Sequence, residues 1–545
     1  RSTIVTTKYS QRAEELGFPR EHEAPQTYGS KAHERRKFNA VGPTNEWPVE
    51  VLRPAIIDRA EHVIDCVEAY GAESIVGWIT LDEAINGNKV LGRIPVKSSA
   101  GFPHGGSKMQ FLIKTPTEED EHHLSLTPEF EEHFLDLLAR AKRGERINTV
   151  FKTCQKDEPV TVGKKKVRVF YIGPLELYLL GRMCYGWKEI LNRLFPLELN
   201  SGVGLNALGM DWHRFQLEME EYCESVRMGE DFPAFDDNMS YVGMKASLEP
   251  DLRVAEHFGV GPEQMNAMRV VFEEICRAYC LVHTAVMTNE GKGPSGAYPT
   301  VDINNEVHQT EYEAAPFYSL ALQDSRDGVT WPDVEPYEFP SVNIRGITRV
   351  KDGLRLRRKP LMSNLSGRMR DYIMATHVGD DGITAVKPAA QHLYNMVRKR
   401  DALATIGITI TNPDKTEISE PFIDGEHIDF LKRGFVFNDT LGYWLGPLAL
   451  KSVFRPLHMT VTKQADPDDV HLAQVVQGIQ MELFLHGKEV FERYTPLLKQ
   501  LIREFSEEVF LVRFADTWED YRKFTEFADE REEVEPWEPD FTGSE

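Results

Sequence analysis

The run Thr376-His377-Val378-Gly379-Asp380-Asp381-Gly382-Ile383-Thr384-Ala385-Val386 decides how this chain is to be read. Two short stretches suited to β-strands flank a Gly-Asp-Asp-Gly core, the pattern of a tight hairpin with adjacent carboxylates at its tip. Like charges held this close repel unless a cation neutralises them or one keeps its proton. An oxygen-only pair suits Mg²⁺ or Mn²⁺ better than zinc. The plain alternative is a solvated turn, because Asp and Gly populate turns in any case. Asp468-Asp469 illustrates the plain case, since after Pro467 it reads as a helix start.

Moving outward, Met228-Gly229-Glu230-Asp231-Phe232-Pro233-Ala234-Phe235-Asp236-Asp237 predicts a strand that ends at Asp231 and is broken by Pro233. Asp236 then lies beyond a turn; the alternative is a pair of turn or cap aspartates. The Gly-rich loop Gly291-Lys292-Gly293-Pro294-Ser295-Gly296-Ala297-Tyr298-Pro299 leads into a predicted helix with Thr300 and Asn304 on one face. Hydroxyls and a carboxamide converging there suit a sugar hydroxyl; a capping loop is the alternative. After the hairpin come a helix over Leu393–Leu403, a strand and turn over Ile406–Lys415, and a short strand at Phe430–Arg433.

On the N-terminal side, Lys97-Ser98-Ser99-Ala100-Gly101-Phe102-Pro103 is a small-residue loop that lets backbone approach phosphate oxygens, or is simply a turn. Lys156-Asp157-Glu158 precedes Gly163-Lys164-Lys165-Lys166-Val167-Arg168-Val169-Phe170. As a strand, this would point Lys164, Lys166 and Arg168 the same way, as a triphosphate clamp or as a lysine-protected edge. An amphipathic helix is expected near Ile56–Tyr70, and packing helices are expected within Asp466–Phe514.

The chain has 545 residues, 41% of them apolar, enough for a substantial core. No apolar run is long enough to cross a bilayer, and no secretory signal is evident. A start at Arg1 rather than Met suggests a processed product or a trimmed chain. The six cysteines form no paired zinc pattern; buried free thiols are expected, with Cys276 and Cys280 on one helix face. The net charge of −23 argues at first against nucleic acid, but it is unevenly spread. Thr117–Phe134 and Asp516–Glu545 are acidic, and Lys156–Arg168 and Arg345–Lys359 are basic, so a local basic channel is compatible with the total. The tail around Asp529–Glu533 is expected to be mobile.

Taken in this order, these segments resemble the RNA-dependent RNA polymerases of positive-strand RNA viruses, the picornavirus-like group in particular, from about Ser98 to Arg433. SSAGFP is similar to the loop through which that family admits its template, and KDE with KKKVR to its basic fingertip motif. DFPAFD matches D-x4-D, SGAYPTVDIN matches SG-x3-T-x3-N, and GDD, the NPDK lysine and FLKR complete the set. Val378 stands where picornavirus enzymes carry Tyr. The interval from Asn304 to Gly379 is also longer than in that group, which suggests that Arg345–Lys359 is an insertion that contacts RNA or a partner, or else a solvated loop.

The resemblance implies an α/β (α+β) right-hand fold whose palm is an antiparallel sheet backed by helices. It implies an N-terminal region and fingers over 1–187, palm over 188–262 and 295–435, a fingers return over 263–294, and thumb and acidic tail over 436–545. A closure from the N-terminal region onto the thumb is expected. The resemblance also implies Mg²⁺ (Mn²⁺ as a substitute) on Asp231, Asp380 and Asp381, and Lys415 as general acid toward pyrophosphate. Lys156, Lys164, Lys166 and Arg168 would grip the triphosphate, and Asp236, Ser295, Thr300 and Asn304 would read the ribose 2′-hydroxyl. Ser99, Gly101, Gly296, Lys432 and Arg433 would contact RNA. Implied partners are an RNA template and primer, ribonucleoside triphosphates, a small protein primer and other viral replication proteins. The implied setting is membrane-associated complexes of the host cytoplasm, or the virion. Two rivals stand beside this reading. A reverse transcriptase shares the aspartate geometry but selects deoxynucleotides; a catalytically silent RNA-binding scaffold would not turn over.

Overall fold

The computed structural model describes residues 2–27, 32, 45–163, 167–298, 300–340, 358–461, 468–506 and 514–525. Lys164, Lys166, most of the basic run Arg345–Lys359 and the tail around Asp529–Glu533 lie outside them.

The organising sheet has four strands, in the order Ile373–Val378, Asp381–Val386, Val226–Glu230 and Ile423–Asp424, every neighbouring pair antiparallel. Side chains alternate across it. Met374, Ile383 and Ala385 pack with Trp212, Phe215 and Met219 of the helix Met210–Tyr222. On the opposite face Ile373, Met228 and Val386 join the main core. That core also takes in the helix Val49–Tyr70 and the long helical run Thr300–Arg326. This run is α-helical over Thr300–Val307, widens to a π-helix over His308–Ala314, and returns to α over Ala315–Arg326. The helix Val49–Tyr70 begins earlier than the expected Ile56 and ends on Gly71, whose φ of 66° suits the left-handed cap.

A second sheet joins chain segments far apart in sequence, in the order Ala285–Glu290, Arg277–Val282, Val150–Gln155 and Val169–Ile172. The last strand starts after Arg168, so the alternation expected from Lys164 to Arg168 does not extend to that residue as part of a strand. The cysteines are free, and five of the six are buried. The helix Pro262–Cys276 ends where the strand Arg277–Val282 begins, so Cys280 lies on that strand and does not share a helix face with Cys276.

The C-terminal helices Asp468–Phe484 and Lys488–Phe505 pack through Leu472, Val476, Ile479 and Leu483 against Phe491, Leu498, Leu501 and Ile502. These residues recur at three- and four-residue spacing, which gives each helix one apolar face. The N-terminal segment joins this body. Ile4–Thr6 pairs antiparallel with Met459–Val461, and Tyr9, Ala13 and Phe18 enter the same apolar cluster. On either side of that contact the segment also holds Asp157–Thr161: Thr3 N and Oγ1 donate to Asp157 Oδ2 at 2.5 and 2.6 Å, and His22–Glu23 pairs with Val160–Thr161. Among the described residues, no helix is long and apolar enough to cross a membrane.

Candidate active site

The hairpin forms as its residues dictate. Val378 pairs with Asp381, leaving Gly379 and Asp380 as a two-residue turn. Gly379 has φ of 66°, the left-handed value such a turn asks of its first central residue. Asp380 is exposed at the tip, while Asp381 is half-buried at the start of the returning strand.

Gly382 pairs with Glu230, so continuing the register by one place sets Asp231 opposite Asp381. Asp231 ends its strand by exchanging backbone hydrogen bonds with Thr411: its N–H donates to Thr411 O at 2.9 Å and its carbonyl accepts from Thr411 N–H at 3.1 Å. The expected strand over Ile406–Thr411 is reduced to this single bridge. Lys415 follows in a tight turn at φ of 71°, and its ammonium donates to both Asp231 carboxylate oxygens at 3.0 Å. Burial, opposed by the Leu431 N–H and reinforced by Asp380 and Asp429, pushes the Asp381 carboxyl up to about 7.

This donor set fits a hard divalent cation. Its donors are oxygens, a cation already sits against Asp231, and Asp381 is raised in part by the repulsion such an ion would relieve. Asp231, Asp380 and Asp381 are the residues that would hold it.

Around this centre the predicted residues are placed unevenly. Asn304 Nδ2 donates to Asp236 Oδ1 at 3.1 Å, which unites two of the residues expected to read the ribose. Thr300 is turned back instead, its hydroxyl donating to Ala297 O at 2.5 Å, and Ser295 Oγ accepts from Tyr171 N at 3.4 Å. Lys156 and Arg168 flank one acid, with Nζ 2.9 Å and Nη1 3.6 Å from Glu158. Arg358 is held by Asp65 at 2.5 Å, at the edge of the basic run.

Two of the Gly-containing loops rest on one segment, Gly173–Leu175, through their backbones. Ala100 O accepts from Leu175 N at 2.9 Å, and Gly296 O accepts from Gly173 N at 3.4 Å. A Cβ on Gly101 would lie 2.4 Å from Gly173 O, and one on Gly296 would lie 1.8 Å from Tyr171 O, so neither site admits a side chain. Ser99 Oγ accepts from Gly101 N at 3.2 Å within the same loop.

Phe430–Arg433 is a turn and not the expected short strand. Phe430 and Arg433 exchange backbone hydrogen bonds at 3.0 Å, and Leu431 and Lys432 between them have φ of 57° and 62°. Two successive non-Gly residues in that region cost roughly 1–3 kcal/mol each and persist only where their surroundings hold them. Leu431 N–H is held by Asp381 Oδ2 at 2.9 Å. The Arg433 guanidinium is bound bidentately by Glu482 of the C-terminal helices, at 2.8 and 2.9 Å.

A group that the sequence reading missed lies under the hairpin. Among the described residues, Glu230, His308, Glu313 and His377 bring one nitrogen or oxygen each to within 4.8 Å of one another, and all four are buried. Lys399 Nζ donates to Glu230 Oε1 at 2.5 Å and contacts Glu313 Oε2. Lys399 and His308 hold Glu230 below the ordinary carboxylate range against the cost of burial, and Lys399 and His377 do the same for Glu313. Burial pushes His377 down to about 4. The available signals were a His in a mostly apolar strand and a helix reading NEVHQTEYEA, rich in polar residues yet enclosed by apolar sequence.

Comparison with known proteins gives concordant results. The family model described as "Viral RNA-dependent RNA polymerase" matches residues 56–502. The RNA1 polyprotein of Cowpea mosaic virus (strain SB) is 25% identical over 483 residues, spanning 83% of this chain and 23% of that polyprotein. The replication polyprotein of Nora virus is 23% identical over 491 residues, 86% of this chain and 21% of its own length. The chain thus spans under a quarter of these relatives. A solved structure described as "Sicinivirus 3Dpol RNA dependent RNA polymerase" superposes with a TM-score of 0.68 at 18% identity, covering 94% of this chain and 95% of that one, and shares the right-hand fold.

Proposed function

The chain belongs to the family of viral RNA-dependent RNA polymerases, and from that premise we propose that it copies an RNA template into RNA from ribonucleoside triphosphates during replication of a viral genome. The observation that carries this reading is the register that brings Asp231, from one remote segment, opposite the Asp380-Asp381 hairpin from another. Bound Mg²⁺ would lower the pKa of the primer 3′-hydroxyl and stabilise charge on the attacked phosphate.

The chain's own residues supply position and charge. Asp231, Asp380 and Asp381 set the place of the reacting groups, which makes catalysis largely electrostatic and positional. Lys415 moves from Asp231 to the departing pyrophosphate as general acid. Lys156 and Arg168, with Lys164 and Lys166, grip the triphosphate, and the Asp236–Asn304 pair recognises the ribose 2′-hydroxyl. Lys432 on its strained turn supports the primer, while the loops of Ser99, Gly101 and Gly296 guide the template. The same reading carries the expectation of a small protein primer and of other viral replication proteins, in membrane-associated complexes of the host cytoplasm.

Primer extension on a defined RNA template with Mg²⁺ tests this reading. The wild type should extend with ribonucleotides in strong preference to deoxynucleotides, and Asp380→Ala should lose extension by about 10³-fold or more while still binding RNA. Extension by Asp380→Ala at the wild-type rate would refute the site.

A further inference from the structure

Strand alternation gives the neighbours Glu230 and Asp231 opposite surroundings: the Asp231 side chain is 27% exposed, and that of Glu230 is 1% exposed. We propose that His308 and Lys399 are positioning residues that lock the Gly379 turn to the strand ending at Asp231, and so fix the spacing of the carboxylates on which metal-dependent copying depends. This rests on the copying reading above.

Contacts on both segments support it. His308 Nδ1 faces Gly379 O at 2.9 Å and its Nε2 faces Glu230 Oε1 at 3.2 Å. One ring thus spans both segments that carry a metal-facing aspartate. Asn305 Oδ1 accepts from Gly379 N at 2.6 Å, so both polar backbone atoms of this glycine are tied to one helical run. Lys399 then ties Glu230 to Glu313 on that run, and Tyr394 O–H donates to Glu313 Oε1 at 2.8 Å.

Steric fit gives independent support. A Cβ on Gly382 would lie 2.9 Å from the His377 ring and 3.0 Å from the His308 ring, so the strand leaving the hairpin rests directly on the two imidazoles. The ligand types present would also suit a transition metal, but the Lys399 ammonium already stands between the two carboxylates and supplies the cation.

The test uses His308→Leu, which removes both ring nitrogens, and His308→Gln, which restores a polar amide. Both are assayed as stalled elongation complexes, so that only assembled molecules are counted. For His308→Leu we expect kcat to fall about 10²-fold, as for a misplacement near 1 Å. The Mg²⁺ concentration for half-maximal rate should rise severalfold, while nucleotide KM and RNA affinity stay within about twofold; His308→Gln should recover most of the rate. If His308→Leu does not fold, Gly382→Ala pushes on the same rings and should give the same split. Wild-type kcat and Mg²⁺ dependence in a folded variant overturns the proposal, as does a loss confined to the number of complexes formed. A stoichiometric metal in the purified protein, released by chelator together with the rate, overturns it too and makes the group a metal site. If the wild type extends and Asp380→Ala does not, these failures belong to the positioning role alone. If the wild type extends no template, the copying reading fails and this inference fails with it.

Discussion

The central helical run Thr300–Arg326 and the C-terminal pair Asp468–Phe484 and Lys488–Phe505 are both buried along much of their length, but with different side chains. In the central run, Asp302 accepts from Asn192 at 2.6 Å, Glu306 is bound by Arg59 and Lys188 at 2.7 and 2.8 Å, and Gln309 donates to Asn200 O at 2.6 Å. In the C-terminal pair, leucine, isoleucine, valine and phenylalanine fill the interface, and among the described residues buried polar groups are few, such as Gln480 donating to Ala515 O at 2.7 Å. Hydrogen bonds and ion pairs have preferred distances and directions, whereas apolar burial stabilises without directionality. The chain therefore uses costly buried charge where atoms must be held in one place. It uses ordinary hydrophobic packing where only a firm body is needed.

Four measurements can break or sharpen this contrast. Lys399→Met leaves Glu230 and Glu313 buried without their cation and should cost about 3–5 kcal/mol in chemical denaturation. A loss below about 1 kcal/mol would mean that these buried charges are not coupled as described.

Glu311 gives the next effect. Burial and the nearby Glu46 hold its carboxyl up at about 8, against 4.5 in the open chain. Between those values the folded protein keeps a proton that the unfolded chain has lost. Stability should therefore fall as pH rises from 4.5 to 8, by on the order of 4 kcal/mol from this group, and be flat in this respect on either side. Glu311→Gln should flatten that interval; an unchanged pH profile would rule out the assignment.

Leu498→Ala, at a fully buried position of the C-terminal pair, should cost about 2–4 kcal/mol of stability. Its kcat per assembled complex should stay within about twofold of wild type, and a tenfold fall would erase the distinction between the two regions. The smallest effect is expected from Arg433→Lys, which gives up the bidentate fork on Glu482 for about 1 kcal/mol. Steady denaturation midpoints would show that this joint is redundant.

Much of the organising sheet was legible because its signals are local. A Gly-Asp pair between β-suited runs predicts its own turn, and Pro233 marks where the strand carrying Asp231 stops. Asp236 and Asn304, which the family resemblance groups, are in contact. Phe430–Arg433 was misread because two apolar or aliphatic-stemmed residues favour a strand, whereas the hydrogen bond from Leu431 to the distant Asp381, with the Phe430–Arg433 backbone pair, holds them in the left-handed region. The charges of the central run were hidden because Glu306, Glu311 and Glu313 read as solvent-facing until partners from distant segments are known. Pairing of Ile4–Thr6 with Met459–Val461 joins residues some 450 positions apart, beyond any periodicity within either stretch.

That distant pairing has a mechanical consequence. The first two dozen residues contact Asp157 and Val160–Thr161, and between those points they add a strand and a helix to the C-terminal body. The two ends of the hand are thus buckled together as in a hoop. Wide separation of these two ends would have to tear a β-ladder, so motion between them is confined to small shifts within a closed frame.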